Sequence, residues 1–137
     1  MKKFSTKIQI TAPVARVWAL LADVASWPAW NTTIDRIEGV NALGSTVTEH
    51  AKINPGRAFP VKVTEWVVEQ KIVWSSGMPF GLFKGERTYT LTPKNNTVEF
   101  DMTETYTGAL SGMMTKSIPD LQPAFDEFSA CLKRAAE

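Results

Sequence analysis

The sequence predicts an α+β fold: a curved antiparallel β-sheet of about seven strands, its helices gathered on one face and the last helix long. Three observations carry this reading. The first residues alternate apolar and polar with period two. The middle, 34–106, is a succession of such runs broken by Gly, Pro and Asn. The C-terminal segment switches to helical period with a single apolar stripe.

Taken in order, FSTKIQI (4–10) places Phe4, Thr6, Ile8 and Ile10 on one face and Ser5, Lys7 and Gln9 on the other, a half-buried strand. Thr11-Ala12-Pro13 opens a helix, with proline in its first turn. Val14, Val17, Trp18, Leu21 and Val24 then fall at helical spacing. WPAWN (27–31) carries an internal proline and starts a second short helix or turn. Residues 34–37 and 45–53 are short strands flanked by Gly39 and Gly44, and INPG (53–56) is a turn. PVKVTEWVVEQKIVWSS (60–76) is a hairpin turning near Glu69-Gln70, followed by the loop GMPFGL (77–82). Residues 83–92 and 98–106 form a second hairpin around Lys94–Thr97, since Asn tolerates positive φ in tight turns. LSGMMTKSI (110–118) is a helical turn. Asp120 caps the last helix and Pro123 lies in its first turn; Leu121, Phe125, Phe128, Leu132 and Ala135 make its stripe.

Hairpin geometry then assigns partners. A turn centred between Asn95 and Asn96 pairs Leu91 with Phe100, Tyr89 with Met102 and Arg87 with Glu104. Glu104 is the one carboxylate in the apolar row Val98, Phe100, Met102, Glu104, Tyr106, so Arg87 is its expected partner. In the first hairpin, a turn centred between Glu69 and Gln70 pairs Val67 with Ile72, Glu65 with Trp74 and Val63 with Ser76. That puts Glu65 inside and Trp66 outside, unless a bulge turns Trp66 in.

Composition narrows the function. The 137 residues fit one domain, 1–137, with one core; 44% are hydrophobic and 21% charged. A net charge of +1, with no basic run longer than two residues, points away from nucleic acid. No apolar run approaches the ~20 residues of a membrane span, and MKKFSTKIQITAP lacks the apolar stretch of a signal peptide. A cytoplasmic setting is the expectation. Cys131, the only cysteine, is expected as a buried helix thiol. With one His and one Cys, a typical zinc site or a Ser-His or Cys-His catalytic unit is not expected, and neither a metal nor a cofactor is expected.

Four stretches carry a resemblance to a known family. TAPVARVWALLADVASWPAWN (11–31), FPVKVTEWVVEQKIVW (59–74), GERTYTLTPKNNTVEFDMTETYTG (85–108) and FDEFSACLKRAAE (125–137) are similar to the opening helices, the two hairpins and the last helix of the SRPBCC group. That is the polyketide cyclase/dehydrase-like group of the START-like, helix-grip superfamily. The chain departs from it in lacking the usual proline at Val68-Glu69, and in having Arg87 where many relatives have His. The resemblance implies a helix-grip fold with a mostly apolar cavity of about 300–1,000 Å³ between sheet and last helix.

On that reading the ligand-binding candidates are Trp30, Val63, Trp74, Tyr89, Met102, Phe125 and Phe128 on the wall, with Arg87 and Glu104 orienting one polar group. Glu65, Trp27, Phe83 and Met113 are further candidates, the last two at the mouth with Phe80, Leu82 and Met114. Each has a plainer reading: the charged pair as a strand-tying salt bridge, Glu65 as surface, the aromatics and methionines as core. His50 sits on a strand whose two faces alternate equally well, Val47, Glu49, Ala51 against Thr46, Thr48, His50. Three functions follow, in rank order. The first is binding of a hydrophobic small molecule such as a lipid or polyketide. The second is a cyclase or dehydratase in which Arg87, Glu104, Tyr89 or His50 moves protons. The third is an interaction module resembling chaperone-ATPase activators, which would expose an apolar patch. Monomer and homodimer are both left open.

Overall fold

The computed structural model describes residues 2–137. Strand β1 (Lys2–Ile10) leads into helix α1 (Val14–Ala22), a 3-10 turn at Val24–Ser26, and the short helix α2 (Trp27–Trp30). Six strands follow: β2 (Ile34–Gly39), β3 (Thr46–Ala51), β4 (Phe59–Val67), β5 (Lys71–Met78), β6 (Phe83–Lys94) and β7 (Thr97–Thr107). Helix α3 (Ser111–Met114) and the long α4 (Gln122–Ala136) close the chain. All strand pairs are antiparallel, in the order β1-β7-β6-β5-β4-β3-β2, one curled sheet gripping α4. This is the expected helix-grip α+β architecture. Among the described residues no helix is long and apolar enough to cross a membrane.

The β6–β7 hairpin has the register that its two-residue turn requires. Asn95 takes a positive φ of 54°, and Leu91, Tyr89 and Arg87 face Phe100, Met102 and Glu104. The β4–β5 hairpin differs from expectation. Its turn holds three residues, Val68, Glu69 and Gln70, with Glu69 left-handed at φ 62°, so Val67 pairs with Lys71. The one-residue shift sends Glu65 outward, where it ion-pairs Lys71 at 3.2 Å, and turns Trp66 inward against Trp18. A bulge at Thr64 then restores the alternation, and Val63 faces Trp74 on the concave side.

The core is filled unevenly along α4. Its C-terminal half buries Leu132 and Ala136 beneath α1, whose Arg16 Nε donates to the Ala136 carbonyl at 2.6 Å. The same half is tied to β1 by Thr6 Oγ1 to Ser129 Oγ (3.1 Å) and by Lys133 Nζ to the Gln9 carbonyl (2.9 Å). Pro13 precedes α1 as its cap, and α4 begins at Gln122, whose N–H donates to Asp120 Oδ1. The N-terminal half of α4 meets α2 through Trp27 and Trp30, which pack on Phe128, and α1 does not extend over it. Gly108 (φ 110°) lets the chain cross the start of β6; a Cβ would lie 2.7 Å from the Leu82 carbonyl oxygen.

Candidate functional site

Along the N-terminal half of α4, a cavity of about 290 Å³ opens between Phe125 and Phe128 of the helix and the concave faces of β3 to β7. Trp74 and Met102 line its depth, and Phe83, stacked on Tyr106 at 5.8 Å, lines one side. Ile53, Arg57, Met114, Ile118 and Pro119 stand around the opening.

Three charged side chains meet inside. Arg87 Nε donates to Glu104 Oε1 at 3.0 Å, and Arg87 Nη1 lies 3.6 Å from Glu49 Oε1, an ion pair too long for a hydrogen bond. The Tyr106 hydroxyl donates to the other oxygen of Glu104, so both of that carboxylate's oxygens are engaged. The guanidinium carbon sits 5.0 Å from the Phe125 ring centre, which adds a cation–π contact. The side chains are 18% exposed for Arg87 and 12% for Glu49 and Glu104.

Burial and charge set the protonation of this group. Burial works against the Arg87 charge, yet Glu104 beside it holds the guanidinium well above its ordinary value. Burial raises the Glu49 carboxyl above the usual range; Arg87 opposes the shift and Glu104 adds to it. The Tyr106 phenol is raised by burial and then by Glu104. Tyr89 lies behind Arg87, its phenol raised by burial above all.

The Tyr89 hydroxyl is buried near the Arg87 guanidinium but makes no hydrogen bond of ordinary geometry among the described residues. Tyr89→Phe is therefore expected to stabilise the fold by about 1 kcal/mol. For a chain of this size that is a Tm rise of about 3 °C. Differential scanning calorimetry checks it, and a lowered Tm would show that the hydroxyl is bonded after all.

Residues 1–137 match the family described as polyketide cyclase / dehydrase and lipid transport over their whole length. The chain belongs to this family. No curated protein matches it. Solved structures with the same fold include a hypothetical protein from Helicobacter pylori, with TM-score 0.78, 12% identity, and coverage of 99% of this chain and 88% of that one. The Aha1 dimer from Colwellia psychrerythraea superposes with TM-score 0.75 at 21% identity, covering 100% and 97% of the two chains. The di-domain ARO/CYC protein StfQ from the steffimycin biosynthetic pathway does so with TM-score 0.72 at 13% identity, over 98% of this chain and 50% of that one.

In this polyketide cyclase/dehydrase and lipid transport family member, Trp74, Phe83, Arg87, Met102, Glu104, Phe125 and Phe128 stand on the cavity wall. Trp27, Val63 and Tyr89 are buried behind it. Trp30 packs on Trp27 and Phe128 and donates its indole N–H to Ser26 Oγ (3.2 Å), away from the lining. Glu65 is on the opposite face of the sheet. Met113 points outward, 62% exposed, and its neighbour Met114 takes the place at the opening. His50 is on the convex side, 2.8 Å from Glu38 Oε1, which lowers the Glu38 pKa. Cys131 is buried, as expected, and bonds with Thr32 and Glu127.

The site residue that sequence reasoning missed is Glu49. Its strand turns Val47, Glu49 and Ala51 inward, one of the two faces that alternation alone left equal. The deciding information was the pairing of β3 with β4, which sets Val47 against Val61 and Glu49 against Phe59. Among the described residues no cluster of three His, Cys, Asp or Glu side chains has metal-binding geometry.

Proposed function

We propose that this chain binds a hydrophobic small molecule in the cavity beneath α4, with Arg87 and Glu104 orienting one polar group of the ligand. The observation that carries this reading is the open, apolar-walled space that ends on a charged cluster, where a packed core would have closed over the pair. At about 290 Å³ it is sized for a ligand of one or two rings. Membership of a family described by cyclase, dehydrase and lipid-transport functions supports it.

The test uses Prodan, a neutral naphthyl ketone whose emission shifts to the blue in apolar surroundings. Saturable one-to-one uptake is expected, and Ala124→Trp, which pushes an indole into the cavity from α4, is expected to weaken it at least about tenfold. Unfolding of the variant at the wild-type temperature confirms that the fold survives. No blue shift with the wild-type chain, or equal uptake by the plugged variant, would overturn the proposal.

A further inference from the structure

We infer that Glu49 makes the cavity selective for charge, so that it takes uncharged hydrophobic molecules whose inner polar atom is a hydrogen-bond acceptor, such as a ketone, and rejects carboxylates. The inference rests on the binding function proposed above and adds the chemical class of the ligand.

The argument begins with the count of charges at the inner end. One guanidinium faces two carboxyl groups, all three less than one-fifth exposed. Glu104 already occupies Arg87 Nε and spends its second oxygen on Tyr106. Neither terminal nitrogen of Arg87 is hydrogen-bonded to a carboxylate, and Nη1 merely stands 3.6 Å from Glu49. The donors a ligand meets are therefore those terminal N–H groups. A carbonyl oxygen accepts from them without changing the charge of the cluster.

A ligand carboxylate would be the third carboxyl group around one cation, in surroundings where water screens weakly. Without Glu49 the same carboxylate would find Arg87 balanced by Glu104 alone. Glu49 is thus the residue whose charge decides between the two ligand types. Arg87, 3.6 Å away, favours the charged form of Glu49 against its burial, and that charge is what a ligand carboxylate would meet. A ligand ammonium would be drawn to Glu49 but would lose its water shell beside Arg87 and a wall of Trp74, Met102 and Phe128. Arg57, the other cation on the lining, is exposed at the opening, where salt and water screen it.

Four naphthalenes of one skeleton test this by displacing Prodan at neutral pH: acetylnaphthalene, naphthoate, naphthylmethylammonium and ethylnaphthalene. Acetylnaphthalene is expected to bind tightest, and naphthoate at least about tenfold more weakly. In Glu49→Gln the affinity of naphthoate relative to acetylnaphthalene is expected to rise about tenfold. Glu49→Ala should give the same direction and covers a glutamine variant that does not fold. Naphthoate or the ammonium binding as tightly as the ketone to the wild type would overturn the inference while leaving the binding function intact. So would an unchanged ratio in both variants. Failure of Prodan and all four naphthalenes to bind would overturn both.

Discussion

Arg87→Met is expected to cost about 3–5 kcal/mol of stability at neutral pH, because it leaves buried carboxylates without their cation. The methionine keeps much of the side-chain volume and the contact with Phe125, so the loss reports charge more than packing. Glu104 would retain only its bond from Tyr106, and Glu49 would keep no cation within ion-pair distance. The pH dependence follows from Glu49. Its pKa in the folded protein is already raised by burial, and Arg87 is the group that restrains the rise. With Arg87 gone, the folded form holds its proton to a higher pH than the unfolded chain does. The variant should then be most stable below the ordinary carboxylate pKa and lose stability as pH climbs from there through the raised value. Urea unfolding of both proteins at about pH 5 and about pH 8 measures this. An equal deficit at the two values would mean that the guanidinium matters only for its bulk.

Trp27→Ala is expected to be as damaging, about 3–5 kcal/mol, for a different reason. Trp27 has no exposed surface, stacks on Trp74 at 5.4 Å and meets Phe128 edge-on at 5.1 Å. Its indole N–H donates to the carbonyls of Leu20 and Leu21, both at 3.2 Å, in the last turn of α1. One side chain thus satisfies a helix end and separates α2 from the sheet. Its loss opens a large void under α2 and should lower Tm by about 10 °C, with Trp27→Phe losing clearly less. A calorimetric loss below about 1 kcal/mol would show that α2 collapses to refill the space.

The fold was legible because period and turn chemistry agree along most of the chain. Asn95-Asn96 admits one tight turn, and that turn dictates which residues of β6 and β7 oppose each other, Arg87 and Glu104 included. The other hairpin had no such marker. Val68-Glu69-Gln70 holds neither Gly nor Asn, so nothing announced that Glu69 would go left-handed and lengthen the turn by one residue. Glu65 and Trp66 exchanged faces in consequence. Glu49 was hidden by a different ambiguity: β3 is polar enough on both faces that only its neighbour β4 distinguishes them. Trp27 and Trp30 are cavity candidates by sequence, with core packing as the plainer reading, and both pack behind the lining: whether an indole lies behind a wall or on it depends on side-chain packing that spacing does not encode.

The strand order has a consequence for how the chain reaches this structure. From β2 to β7 each strand lies beside the one before it, so the region that encloses the cavity forms from contacts close in sequence. β1 is the exception. Ile10 pairs with Val98, and Thr6 reaches Ser129 of α4, with most of the chain between the partners. That closure carries the largest loop entropy in the molecule and gains nothing until β7 is in place, so it belongs late in folding and weighs heavily on the rate. The β2–β7 meander that walls the cavity is expected to form early from local contacts, and the β1–β7 seam to form last.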